Sequence, residues 1–296
     1  MKILNFGSLN IDYVYQVERF ALPGETISSS KMERFCGGKG LNQSVALARA
    51  GVSVSHAGCV GSDGEFLIEE LEKSGVRTEK ICELPSSSGH AIIQVDAKGE
   101  NTILLYPGAN HQITCEQIDE ALTEYGSGDV LLLQNEIGEI PYIMERAYQK
   151  GMKIFFNPSP LTEEVFQYPL HLVSCFLVNR IEGAALAEKH DPNEILAGIR
   201  KRFPEAQVVL TLGKDGAYYE NKISTFFQPA FSVRAVDTTA AGDTFTGYFI
   251  AELLRDSEPN AILRCACGAS ALAVSRMGAA PSIPTEKEVR AFLRGE

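Results

Sequence analysis

The chain is 296 residues long, carries 27 Lys and Arg against 38 Asp and Glu for a formal charge of -11, and is 45% hydrophobic. That length can bury one large α/β domain with an appendage, or two ordinary domains. The acidic balance disfavours nonspecific contact with nucleic acid or an anionic membrane, so neither is an expected partner and any anionic ligand must be held by local dipoles.

Lys2 to Gly7 reads as a first strand. The N-terminus is too short and polar for a signal peptide, and no apolar run approaches a membrane span, so a cytoplasmic location is expected. Ile11 to Arg34 is extended and lacks helical periodicity. The glycines of Cys36-Gly37-Gly38-Lys39-Gly40-Leu41-Asn42-Gln43 either form a tight turn or wrap a polar ligand, with Lys39 and Asn42 as donors. A small-residue helix, Ser44 to Ala50, ends at Gly51, followed by a strand, Val54 to Val60, and a helix, Gly64 to Ser74. His90 to Asp96 and Asn101 to Tyr106 are two strands joined across Lys98-Gly99. Beyond them come helix Thr114 to Tyr125, with Thr114 and Gln117 matching a capping box, strand Val130 to Gln134, and helix Pro141 to Lys150. Further strands are Lys153 to Asn157, Cys175 to Val178 and Val208 to Leu212. The alternation implies an α/β fold: a doubly wound, mostly parallel sheet flanked by helices, with ligand sites beyond the strands' C-terminal ends. The two segments that break it would make a small separate sheet, whose exposed face or edge invites a second copy and hence a homodimer.

The seven cysteines are scattered and odd in number, which argues for reduced thiols. Cys265 and Cys267 fall two apart in a helix, Ala261 to Arg276, and so do not share a face for a metal. Cys36 is either an oxidisable thiol beside the glycine loop or a buried inert one.

Asp237-Thr238-Thr239-Ala240-Ala241-Gly242-Asp243-Thr244-Phe245-Thr246-Gly247 opens a helix, because Phe245, Phe249, Leu253 and Leu254 recur at helical spacing. Free amides from Ala240 to Asp243, flanked by side chains this small, would bind an anion. Asp243 then either decorates the first turn or accepts a proton from a hydroxyl that attacks a bound phosphate. There is no Gly-x-x-x-x-Gly-Lys-Ser/Thr segment and no dinucleotide fingerprint after the first strand, which disfavours a P-loop nucleotidase and an oxidoreductase.

The two glycine-rich segments, in this order and about 200 residues apart, resemble the paired signatures of the ribokinase-like (PfkB) family of sugar and nucleoside kinases. The likeness runs from Gly7-Ser8-Leu9-Asn10-Ile11-Asp12 to Gly278-Ala279-Ala280-Pro281-Ser282, with Pro23-Gly24-Glu25-Thr26 and Gly108-Ala109-Asn110 between. It implies transfer of the γ-phosphoryl of ATP to a primary hydroxyl, with D-ribose giving D-ribose 5-phosphate as the expected reaction. Another pentose, a ketohexose or a nucleoside is the alternative acceptor, and an inactive sugar-binding regulator the alternative class. The departure at Ser86-Ser87-Ser88-Gly89-His90 bears on acceptor choice, and His90 faces either the sugar or the surface.

On this resemblance, residues 11-35 and 89-107 form a small β lid over the sugar, and 1-10, 36-88 and 108-296 form the main domain. Asn10, Asp12, Gly38, Lys39, Asn42 and Glu136 are implied sugar contacts, although Asn10 and Asp12 also suit an Asx-turn. Asp243 is the implied base, supported by the amides of Ala240, Ala241 and Gly242. Asn179 and Glu182 match a segment that organises hydrated Mg2+ on ATP, while Asn179 also suits a helix cap. Thr211, Gly213 and Gly216 match the nucleotide-binding turn or form a plain β-turn. K+ is an implied activator, held beside Asp237, Thr239, Ala273, Arg276, Gly278 and Ser282.

Overall fold

The computed structural model describes residues 1–295. From the N-terminus, β1 (Ile3–Phe6) leads into β2 (Asn10–Gln16) and β3 (Lys31–Gly37), then α1 (Lys39–Arg49), β4 (Val54–Gly61), α2 (Glu65–Lys73) and β5 (Arg77–Leu84). Next come β6 (Gly89–Val95), β7 (Asn101–Tyr106), α3 (Cys115–Leu122), β8 (Val130–Gln134), α4 (Ile140–Gln149), β9 (Lys153–Asn157) and β10 (Val173–Asn179). The remainder is α5 (Arg180–Ala187), α6 (Pro192–Arg202), β11 (Gln207–Thr211), β12 (Ala217–Glu220), β13 (Thr225–Gln228), α7 (Ala241–Leu254), α8 (Pro259–Val274) and α9 (Glu286–Arg294).

Nine strands form one sheet in the order β13-β12-β11-β10-β9-β8-β1-β4-β5. Pairing is parallel from β5 through β11, and β12 and β13 add an antiparallel edge. The central strands are apolar on both faces because helices cover both. β1 sends Ile3 into a core shared with α1, α2, α7 and α8, and sends Leu4 and Phe6 into a second core under α3, α4 and α6. From β1 the chain winds one way to β4 and β5, and later the other way from β8 to β11. The reversal lies between β1 and β8, whose ends pair as Phe6 with Leu133, and a ligand crevice is expected just beyond that point.

A second sheet, in the order β3-β2-β6-β7, stands apart from the first. It is mixed, since β2 and β6 run parallel while the outer pairs are antiparallel. Asp12 lies in one row with Phe35, Ala91 and Leu105, and the adjacent row holds Ile11, Cys36, His90 and Tyr106 on the other face.

Two boundaries differ from expectation for a physical reason. Helix α1 starts at Lys39 rather than Ser44, because Leu41 N–H donates to the Ser8 carbonyl at 3.0 Å and draws the glycine-rich turn into the first helical turn. β3 continues to Gly37, so the same segment is the end of one strand and the start of one helix. The Thr114 capping box forms, with Thr114 N–H on Gln117 Oε1 at 2.9 Å. Among the described residues no helix is long and apolar enough to cross a membrane.

Candidate active site

Beyond the C-terminal ends of β1 and β8, where the crevice is expected, Ser8 and Glu136 are bonded to each other. Ser8 Oγ donates to Glu136 Oε2 at 2.5 Å, Lys39 N–H donates to the same oxygen at 2.9 Å, and Gly40 N–H reaches Ser8 Oγ at 3.2 Å. The approach is possible only because residue 40 is glycine: a Cβ there would stand 2.3 Å from the Ser8 nitrogen. Gly38 takes φ 94°, a left-handed conformation that a side chain rarely adopts. Asn10 is buried beside the crevice, with Asn110 Nδ2 donating to its Oδ1 at 2.7 Å, while Asn110 Oδ1 accepts the Leu9 N–H at 3.0 Å.

Asp12 lies two residues further along β2, against Gly37, where any Cβ would collide with its carboxylate. Burial, and then the Glu136 charge, push Asp12 up to about 7. Burial likewise raises Glu136. Burial draws Lys39 down, but the carboxylates of Asp243, Glu136 and Glu182 outweigh it and hold the ammonium above its ordinary value. His90 is turned away from this group: it sits on the face opposite Asp12, its ring 5.9 Å from Tyr13 and 5.0 Å from Tyr106. Burial pushes the Cys36 thiol up to about 11, which suppresses the reactive thiolate and favours the inert reading.

Asp243 stands in the first turn of α7, 8% exposed, and accepts from Asn42 Nδ2 at 3.2 Å and Gln43 Nε2 at 2.9 Å. Ala240 before it holds a left-handed φ of 58°, strain for a residue with a Cβ. The Ala241 amide turns back to the Thr238 carbonyl at 3.3 Å, so the anion loop is less open at that residue than its sequence implies. At Gly242 no atom beyond its chain neighbours and its own helix backbone lies within 4 Å of where a Cβ would be. That open space faces a cavity of about 190 Å3 lined by Lys39, Asn157, Asn179, Glu182 and residues 240 to 243. A larger cavity of about 520 Å3 shares Thr211, Thr238, Ala241 and Gly242 with it and extends past Gly213, Lys214 and Gly216 to Phe231, Val233 and Cys267.

The other expected ligands are placed as follows. Asn179 is a helix cap: its Oδ1 accepts from Ile181 and Glu182 N–H, both at 2.9 Å, and Glu182 Oε2 accepts the Asn179 N–H at 2.9 Å. Its side-chain oxygen is thus engaged by the helix, and of this pair it is the 4% exposed Glu182, with its second oxygen, that fits a hydrated cation. Asp237 gathers Thr239 and Gly278: Oδ1 accepts from Thr239 N–H at 2.9 Å and Thr239 Oγ1 at 2.6 Å, and Oδ2 accepts from Gly278 N–H at 2.9 Å. Burial raises Asp237, but these donors outweigh it and hold the carboxyl low. The Ala273 carbonyl accepts from Arg276 N–H at 3.1 Å, Arg276 pairs with Glu288 at 2.6 Å, and Ser282 Oγ donates to Ala279 O at 2.8 Å. Among the described residues no three His, Cys, Asp or Glu converge to ligate a metal directly, so any cation here would rely on carbonyls or on its own waters.

Sequence reasoning missed Ser8, Gln43, Asn110, Gln134 and Asn157. The one signal for Gln134 is a long polar side chain ending the run Leu131-Leu132-Leu133, which the structure buries to 1% exposure.

The arrangement sets one carboxylate, Asp243, between the amides of Asn42 and Gln43 and a cavity at the start of α7. Residues 1–286 match the pfkB family carbohydrate kinase family. The chain is 33% identical to the ribokinase of Haemophilus influenzae over 300 residues, covering 97% of this chain and 96% of that protein. It superposes on the crystal structure of the Thermotoga maritima ribokinase with TM-score 0.86 at 35% identity, covering 99% of each chain. It also superposes on the Arabidopsis thaliana ribokinase complexed with ribose and ATP, with TM-score 0.87 at 26% identity, covering 99% of this chain and 98% of that one.

Proposed function

The chain belongs to the pfkB family of carbohydrate kinases, and from that premise we propose that it transfers the γ-phosphoryl of ATP to the primary hydroxyl of D-ribose, giving D-ribose 5-phosphate and ADP. The observation that carries this is the open wedge at Gly242 next to a carboxylate, Asp243, that lines the smaller cavity and accepts from the Asn42 and Gln43 amides. Asp243 accepts the hydroxyl proton as the oxygen bonds to the γ-phosphorus and the bond to the β-phosphate oxygen breaks; the proton stays on its carboxyl and the electron pair leaves with ADP. The amides at Ala240 and Gly242, with the Lys39 ammonium, offset the charge gathering on the transferred group. Asn10, Asp12, Gly38, Lys39, Asn42 and Glu136 hold the sugar. Asn42 Oδ1 is buried without a partner in the ligand-free chain, among the described residues, and a sugar hydroxyl supplies the missing donor.

Thr211, Gly213 and Gly216 border the nucleoside in the larger cavity. Glu182 would hold Mg2+ through water, and the ion when bound neutralises the β- and γ-phosphate charge. K+ is the proposed activator beside the Asp237 loop, held by Asp237, Thr239, Ala273, Arg276, Gly278 and Ser282, mostly through backbone carbonyls. Residues 11-35 and 89-107 act as a lid that excludes water, and their exposed apolar face joins two copies into a homodimer. Seven unpaired thiols and the need for ATP suit a cytoplasmic enzyme.

ADP release is the test, run with Mg-ATP over ribose, deoxyribose, other pentoses, ketohexoses and nucleosides, in K+ and in a large organic cation at matched ionic strength. Highest kcat/KM on ribose, a higher rate in K+, and a loss of roughly 10²-fold to 10⁴-fold in Asp243→Asn are expected. Preference for another acceptor moves the substrate, equal rates in the two cations remove K+, and an active Asp243→Asn removes the base.

A further inference from the structure

We propose that Gln43 is a positioning residue for the Asp243 carboxylate, and that its amide is held with the donor end forward by a buried polar relay running from His56 through Ser44, Asn5 and Gln134. The inference rests on Asp243 being the base, and adds a set of residues that never touch the substrate.

Backbone carbonyls fix the direction of the relay. His56 is fully buried, and desolvation lowers it to about 4, so its imidazole is neutral and carries one N–H. Nε2 faces the Gly7 carbonyl at 3.1 Å, which can only accept, so the hydrogen sits there. Nδ1 must then accept from Ser44 Oγ at 2.8 Å. Ser44 Oγ, having donated, accepts from Asn5 Nδ2 at 2.8 Å, and that same nitrogen donates to the Gly40 carbonyl at 2.8 Å. The oxygen of Asn5 is left for Gln134 Nε2 at 3.0 Å, whose second hydrogen goes to Gln43 Oε1 at 2.7 Å. Gln43 is therefore obliged to present its NH2 to Asp243 Oδ1 at 2.9 Å and to Asn157 Oδ1 at 3.2 Å. Asn157 is locked as an acceptor there, because its own Nδ2 donates to the Leu177 carbonyl at 2.8 Å. Three carbonyls, of Gly7, Gly40 and Leu177, fix His56, Asn5 and Asn157, and a flipped Gln134 or Gln43 would set its amide oxygen against the oxygens of Asn5 or Asp243, although Gln134 Oε1 itself stays buried without a partner among the described residues.

Such a network costs several ordered polar groups in a core that aliphatic side chains could fill, and its one outlet is the carboxylate. Asn42 grips the other oxygen of Asp243 at 3.2 Å, so the two amides of adjacent residues fix the plane of the carboxylate. A base held in that way keeps one orientation toward the incoming hydroxyl, as positioning across the crevice requires.

Gln43→Met keeps the length of the side chain and removes its donors. Sugar affinity without nucleotide, read by calorimetry, is expected to stay within about twofold, with kcat falling roughly 10-fold to 100-fold. Gln134→Met reaches Asp243 through Gln43 alone, so it lowers kcat less, and the double variant is no slower than Gln43→Met. Wild-type kcat in folded Gln43→Met, or additive losses in the double variant, overturns the proposal. If Gln43→Met does not fold, Gln134→Met decides by the same split between affinity and kcat. Nitrogen NMR tests the first link without turnover: His56 should be the neutral Nε2–H tautomer down to about pH 5, and the Nδ1–H tautomer would remove His56 and Ser44 from the relay. A wild-type protein that phosphorylates no sugar but shows this tautomer sinks the functional reading and not the relay.

Discussion

Gly242 occupies a helical turn that has room for a larger residue, with no atom beyond its chain neighbours and its own helix backbone within 4 Å of the point a side-chain methyl would take. Glycine there costs the helix about 0.5–1 kcal/mol relative to alanine. No packing gain offsets that cost, so the space serves something outside the chain. Gly242→Ala should raise stability by about that amount in chemical denaturation and depress turnover with ATP at least tenfold; undiminished turnover would show that no phosphoryl group passes there. Asp12 makes a second prediction, of opposite sign to the usual carboxylate. Its pKa rises from 3.8 to about 7 on folding, so the folded state resists ionisation. Below pH 3.8 the residue is neutral in both states and contributes nothing; between the two values the unfolded chain ionises first and stability falls, by about 1.4 kcal/mol per pH unit, levelling off above 7. Asp12→Asn should therefore stabilise the ligand-free protein at pH 8 and not at pH 3.5, while weakening sugar binding. An equal effect at both pH values would contradict the buried, proton-retaining carboxyl.

Helices α1 and α7 bring the sugar-side amides to the base, and they can do so because they touch closely. A Cβ on Gly247 would lie 2.4 Å from the Ala46 Cβ. Gly247→Ala should wedge the two helices apart, costing roughly 1–3 kcal/mol of stability and lowering kcat, both read on the same purified variant. Loss of neither would mean that the contact is slack. At this scale the chain was unevenly legible. Strands β8 and β9 were readable to the residue because Val130 to Gln134 and Lys153 to Asn157 are short apolar runs, as buried parallel strands must be. Strand β5, at a sheet edge, is half-exposed and mixes Arg77, Glu79, Lys80 and Glu83 into its run, so no pattern announces it. The base, the glycine turn and Glu136 stand in recognisable motifs. Gln43 ends the glycine-rich segment but nothing there names its partner, and Gln134, Asn5 and His56 stand in no motif, because a polar residue's burial depends on which distant segments close over it, and only the folded sheet and α1 specify that.

Across the whole molecule, the small sheet leaves its outer strand uncovered. All six residues of β7 are exposed, including Ile103 at 56% and Leu105 at 52%, and these two share the Asp12 face with Phe35. An apolar face of this kind next to a ligand crevice suits a second copy of the same surface. Wild-type protein should sediment as a dimer and Leu105→Lys as a monomer with weaker sugar binding; a wild-type monomer at micromolar concentration would remove the interface. The net charge of -11 works against such self-association at low ionic strength, so added salt should favour the dimer.

The hydrogen bond from Gln43 to Asp243 spans 200 residues of chain. At about 5–20 residues per second, a ribosome leaves roughly 10–40 s between the emergence of the one and of the other. During that interval α1 has no α7 to pack on, and Leu41, Val45 and Ala46 lack the cover that α7 gives them. The nascent N-terminal half is therefore a natural client for chaperones, and a polypeptide released before Asp243 is made can hold neither the proposed base nor the helix that would shelter its partners.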